Sequence, residues 1–229
     1  MTSHSATFTR SQLGQLVGLD ETTLNYWARE NLIRASAGGG GKGQHRRFDF
    51  LEVNLAAILR ELSKFGVALP ALRRLAERFH VAIDLINRWH ITSANMAAYG
   101  DLIGCRDEFL EHGEIEVADH PSRPMSWEQL IELRRASHDG EYVTDVAVRC
   151  AEATSMADWL ALEPYFEAVI RVSTRALKSG RPPRHLTYFV RSDDGEWSIA
   201  EDEEVASKHT SFIGIYIQRL LGQLWEAAR

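Results

Sequence analysis

The chain has 229 residues, 45% of them hydrophobic and 25% charged, with a formal net charge of −6. That balance belongs to a soluble globular protein of one large or two small domains, and no apolar run reaches the length of a membrane-spanning helix. The start MTSHSATFTRSQ has no charged-then-apolar leader. Cys105 and Cys150 lack CxxC or Cys/His spacing, which disfavours a disulfide framework or a zinc site and points to a reducing cytoplasm.

Phe8-Thr9 form a short extended lead-in, and Thr9 with Gln12 fits a capping box opening a helix over 10–17, with Leu13 and Leu16 inward. Gly18 ends this helix, Leu19 fills the turn, and Asp20 caps a second helix within residues 20–32. Helix, tight glycine turn, helix is the helix-turn-helix layout. On the second helix Leu24 and Ala28 share one face, while Thr22, Thr23, Asn25, Tyr26 and Arg29 crowd the other. Hydroxyls and Tyr suit phosphate oxygens, and Asn and Arg suit bidentate contacts to base edges. An ordinary amphipathic helix with a solvated face is the other reading of the same pattern. Leu32-Ile33 close a small core with Leu13, Leu16, Leu19 and Leu24.

The run AGGGGKGQHRRF follows. Residues 38–41, all glycine, cost much entropy to order and make a mobile tip. Lys42, His45, Arg46 and Arg47 set cations beside it, and Phe48 returns the chain to the core. A basic hairpin next to a helix-turn-helix is a wing that grips the phosphate backbone. The alternative is an interdomain linker, against which apolar packing resumes at once with Phe48, Phe50, Leu51 and Val53. Leu55, Ile58, Leu59 and Leu62 then predict a helix over 51–65 with Gly66 as its stop. Pro70 opens another helix, striped by Leu69, Leu72, Leu75 and Phe79 and flanked by Arg73, Arg74 and Arg78.

Charge is divided unevenly. Residues 1–79 hold 11 Lys+Arg against 7 Asp+Glu, and residues 80–229 hold 15 against 25, giving +4 and −10. A basic module on an acidic body is the footprint of a nucleic-acid-binding head.

Residues 7–76 resemble the DNA-binding domain of MerR-type transcriptional regulators. GLDETTLNYWARENLI is similar to that family's turn and recognition helix, HRRF to its wing, and VNLAAILRELSKFGVALPALRRL to the two helices after the wing. The resemblance implies that Tyr26 and Arg46 contact DNA. Asn25 stands where the family usually has Arg, Ala28 where it has Glu, Asn31 where it has Gly, and His45 where it has an aromatic. It further implies dimerisation through a long helix, placed here in residues 80–112 with a break near Tyr99-Gly100, and action at promoters with RNA polymerase as a possible partner.

Beyond residue 112 the pattern mixes α and β. Pro121 and Pro124 mark a loop, Ser126 to Gln129 a capping box opening a helix through Arg135, and residues 142–148 a strand. Residues 156–162 and 164–178 read as a helical pair with Gly180 as stop, LTYFVRSDDGEWSIA as a hairpin, and 210–228 as a closing helix. Trp127, Trp159, Tyr165, Phe166, Tyr188, Trp197 and Trp225 read as core, with an effector pocket as the alternative.

The expected fold is therefore mainly α with small β. A winged helix-turn-helix occupies 1–79, a connecting and dimerisation segment 80–112, and a C-terminal α+β regulatory or oligomerisation domain 113–229. The expected function is a homodimeric, sequence-specific transcriptional regulator of bacterial type on double-stranded DNA, cytoplasmic and nucleoid-associated. No cofactor, metal, membrane or catalytic role is expected, because no nucleophile-base arrangement or phosphate loop is present. Its DNA-binding residues are Thr22, Thr23, Asn25, Tyr26, Arg29, Lys42, His45, Arg46 and Arg47. The alternatives are an excisionase-like architectural factor of a mobile element and a winged protein-interaction module.

Overall fold

A computed structural model describes residues 7–38, 45–115, 124–136, 145–170, 187–200, 203–209 and 211–227. Among the described residues the fold is mainly helical with two small antiparallel sheets. Its described elements are β1 (Thr7–Thr9), α1 (Arg10–Val17), α2 (Glu21–Arg29), β2 (Arg47–Asp49), α3 (Phe50–Lys64), α4 (Leu69–Trp89), α5 (Met96–His112), α6 (Trp127–Ala136), α7 (Asp145–Ala153), α8 (Met156–Ile170), β3 (Thr187–Arg191), β4 (Trp197–Ala200), α9 (Glu203–Ser207), β5 (Ser211–Ile215) and α10 (Ile217–Ala227).

The chain forms two compact units. One combines Met1–Ile83 with Pro164–Arg229, and the other is Asp84–Glu163. The sequence divides into three consecutive segments, but packing gathers the two ends of the chain into one unit. The reason lies in the side chains. Trp225 on α10 stacks on Phe50 of α3 with ring centroids 4.6 Å apart, and tilts against Phe8 at 5.4 Å. Its indole N–H donates to Asn54 Oδ1 at 2.8 Å, and Asn54 Nδ2 donates to the Val169 carbonyl at 2.7 Å. Asn54 is fully buried, so these bonds remove most of the cost of placing an amide in the core. Phe79 meets Tyr165 edge-on at 5.0 Å. Leu13, Val53, Leu55, Ile58, Leu59, Leu75, Phe79, Phe166 and Phe189 fill this interior.

In the same unit, β3 is the central strand of the order β4-β3-β5, with Tyr188 opposite Ala200 on one side and Phe189 opposite Ile213 on the other. The β3–β4 hairpin turns through Ser192 to Glu196, as the Asp-Asp-Gly signal predicts, and Gly195 adopts φ 85°. The helical spacing predicts a closing helix over 210–228, but SFIGI at 211–215 pairs with β3 as a third strand and the helix begins at Ile217. An open strand edge and the β preference of Phe212 and Ile213 outweigh the helical spacing that continues from Ile217.

The other unit is built from α5, α6, α7 and the start of α8, around Tyr99, Leu102, Ile103, Trp127, Leu130, Cys150 and Trp159. Ser126 and Gln129 form the expected reciprocal cap of α6. Residues 145–148 are helical rather than extended. Ala147, Cys150 and Ala151 bury one face at i, i+3 and i+4, a period that overrides the short alternation. Residues 142–144 and 171–178 lie outside the described residues.

Two boundaries also differ. α8 runs unbroken through Pro164, where two helices were expected. An interior proline costs about 3 kcal/mol; buried Trp159 before it and Phe166 after it hold the helix across that defect. The run 80–112 is interrupted at His90 to Asn95 and not at Tyr99-Gly100. His90 takes a left-handed φ of 54°, Asn95 Oδ1 accepts the Thr92 amide, and α5 then continues through Gly100.

Candidate nucleic-acid interface

The helix-turn-helix is fixed at each joint by side chains that the sequence identifies. Thr9 accepts the Gln12 amide at 3.2 Å while Gln12 Oε1 accepts the Thr9 amide at 2.8 Å, closing the capping box of α1. Gly18 and Leu19 both donate to the Gly14 carbonyl, so the turn folds back on the helix it leaves. A Cβ on Gly14 would stand 2.8 Å from the Leu19 carbonyl oxygen and 3.0 Å from Leu24 Cδ1. Only glycine lets the two helices approach this closely. Leu13, Leu24, Trp27, Leu32 and Ile33 are buried, whereas Leu16 and Leu19 are half-buried.

Asp20 caps α2 by accepting the Thr23 amide at 2.9 Å and the Thr23 hydroxyl at 2.6 Å. The Thr23 hydroxyl, followed by its amide, holds the exposed Asp20 carboxyl below the usual aspartate range. Thr23 is half-buried, and its hydroxyl and amide both serve the cap. Thr22, Asn25, Tyr26 and Arg29 are exposed on one face. The Arg29 guanidinium lies over the Tyr26 ring at 5.2 Å, pre-setting a cation beside a phenol that is 37% exposed. Trp27, on the opposite side, is core.

The end of α2 is held by Glu30, which pairs with Arg73 of α4 and lies 3.7 Å from Arg29. Asn31 adopts φ 57°, and asparagine is among the few non-glycine residues that tolerate this left-handed state.

The wing arms are in register. β1 pairs with β2, with Phe8 opposite Phe48, and on its other side Arg47 exchanges backbone bonds with Ala37. Gly38 has φ 80°, and a Cβ there would stand 2.3 Å from the His45 carbonyl oxygen. The two strands thus close against each other at Gly38 and His45. His45, Arg46 and Arg47 are exposed on the returning arm. Lys42 and the glycines at 39–41 lie outside the described residues.

The wing base is tied inward by a residue that periodicity does not single out. Glu52, at the start of α3, accepts the Arg34 amide at 2.8 Å and stands 3.3 Å from His80 of α4. Burial pushes the Glu52 carboxyl above its usual range, with His80 opposing that shift. Arg10, which spacing marks only as the start of α1, donates to Asn25 Oδ1 and lies 3.6 Å from Glu21.

Cys105 is half-buried and Cys150 buried; burial raises both thiols, Cys105 to about 11. Such thiols are poor nucleophiles at neutral pH. Among the described residues no helix is long and apolar enough to cross a membrane.

Residues 8–79, roughly a third of the chain, match the family model for MerR HTH family regulatory proteins. No curated protein and no solved structure matches the chain. The matched span begins in β1, ends in α4, and contains the cap, turn and wing contacts described above. The N-terminal domain of this chain is that of a MerR-type regulator, a family of DNA-binding proteins.

Proposed function

We propose that the protein is a sequence-specific transcriptional regulator that places α2 in the major groove and rests its wing on the flanking phosphates. The observation that carries this reading is the division of labour on α2. Leu24 and Trp27 are buried, while Thr22, Asn25, Tyr26 and Arg29 form an exposed face on which every side chain carries a polar group. Base-edge and phosphate chemistry is thereby supplied by one helix on a rigid support. The basic wing residues Arg46 and Arg47, with His45 and Lys42, add the sequence-independent grip.

One winged module makes few contacts, so the working form is a homodimer bridging two half-sites. We assign that contact to residues 80–112, a segment that includes the exposed Leu110 of α5. We assign regulation and assembly to the chain beyond residue 79, with RNA polymerase as the downstream partner and the bacterial nucleoid as the setting.

The test is binding of the full chain to duplex DNA across a salt series, followed by recovery of bound sequences from a random pool. Salt-sensitive affinity and a paired, symmetric site are expected. No salt-sensitive affinity for any duplex overturns the proposal. A protein-interaction module would give that negative result, and a mobile-element factor would instead select attachment sites.

A further inference from the structure

The outward face of α2 is not made by α2 alone. Arg10, the first residue of α1, donates its guanidinium Nη1–H to Oδ1 of Asn25 and lies 3.6 Å from the Glu21 carboxylate. A guanidinium carries donors and no acceptor, so this bond dictates which way the Asn25 amide turns. Its oxygen faces Arg10 and its NH₂ group points away.

That orientation has a consequence for base reading. An asparagine that reads adenine uses both ends of its amide, donating to N7 and accepting from the N6 amine. In this chain one of the two lone pairs of that oxygen is taken by a cation, whose own hydrogens would face the hydrogens of an adenine N6 amine. The pair instead presents mainly donors: the two N–H bonds of Asn25 Nδ2 and those guanidinium N–H bonds not spent on Asn25 or Glu21. In the major groove the base edge with two adjacent acceptors is that of guanine, through N7 and O6. Thymine offers a single O4 beside a methyl group, and cytosine offers a donor.

We propose that Arg10 and Asn25 act as one two-residue reader of a guanine, with Arg10 a specificity-determining residue supplied by α1. This rests on the reading of α2 as the major-groove helix. Glu21 lies 3.6 Å from the same guanidinium nitrogen that meets Asn25, adding an exposed ion pair to that contact.

The experiment selects bound sequences from random duplex DNA with the full-length wild-type protein and the variants Asn25→Ala, Arg10→Ala and Arg10→Lys. Asn25→Ala identifies the position facing the pair, as the one whose preference it relaxes. In the wild type that position is expected to be guanine, with discrimination of about ten-fold or more against other bases, the scale of one good bidentate contact. Arg10→Lys keeps a donor against Oδ1 and retains guanine. Arg10→Ala frees Oδ1 and moves the preference at that position towards adenine, while other positions of the site keep theirs. A wild-type preference for adenine there, or an unchanged preference in Arg10→Ala, overturns the proposal while leaving the DNA-binding reading intact. Loss of all salt-sensitive binding in the wild type overturns both.

Discussion

Trp225 Nε1 and Asn54 Oδ1, 171 positions apart in sequence, meet at 2.8 Å in the interior of one unit. Stacked on Phe50 and bonded to Asn54, the indole is both packing and polar partner for α3, the helix that leads directly out of the wing. Trp225→Phe keeps much of the packing but strands the buried amide oxygen, at a cost of about 1–3 kcal/mol. Trp225→Ala adds a cavity and is expected to cost about 3–5 kcal/mol. Urea denaturation measures both. Equal stability of Trp225→Phe and wild type would show that the bond contributes nothing.

The wing gives a second expectation. Arg46 is exposed on the returning arm, and the role proposed for it is a phosphate contact. Arg46→Ala is expected to weaken binding to every duplex alike and to lower the slope of log affinity against log salt by about 1. A sequence-selective loss would contradict a backbone role.

Gly38 tests the shape of the wing separately from its charge. An L residue at its φ of 80° costs about 1–2 kcal/mol, and the added Cβ would collide with the His45 carbonyl at 2.3 Å. Gly38→Ala is therefore expected to reduce affinity for all sequences with no loss of basic residues. Titrations against random-sequence duplex would read this, and unchanged affinity would show that the grip does not depend on wing closure.

Glu52 sets a pH dependence. Its folded-state pKa lies above the ordinary glutamate value of 4.5, chiefly through burial. The native state then holds the proton more tightly than the unfolded chain, so stability falls as pH rises. The contribution is fully present below the ordinary range and is lost as pH passes through the elevated value. Glu52→Gln keeps an acceptor for the Arg34 amide and cannot titrate. Its urea midpoint is expected to vary less with pH through that window, and parallel curves for the two proteins would refute the assignment.

How much of this was legible beforehand follows from the range of each interaction. Thr9, Gln12, Asp20, Ser126 and Gln129 act within three residues, and every one caps the helix it was assigned to. The Asp-Asp-Gly turn is equally local. The misread segments depend on distant partners. Ser211–Ile215 becomes a strand because β3 offers an edge, and α8 crosses Pro164 because both flanks are buried. On the candidate interface, Thr22, Asn25, Tyr26 and Arg29 were visible from helical spacing. Spacing alone does not show that the Thr23 hydroxyl serves the cap, since a cap and a phosphate contact use the same group. Arg10, Glu52 and His80 were not visible, since their partners lie 15 to 28 positions away, at Asn25, Arg34 and each other.

The discontinuous unit also bears on how the protein is made. Translation delivers the wing and α2 early, but the partners that seal α3, Val169 and Trp225, emerge from the ribosome only after the whole of Asp84–Glu163 has been synthesised. Until then the bonds of Asn54 to Val169 and Trp225 and the stacking of Phe50 on Trp225 are unmade, so the last contacts of the N-terminal module wait for the last helix of the chain.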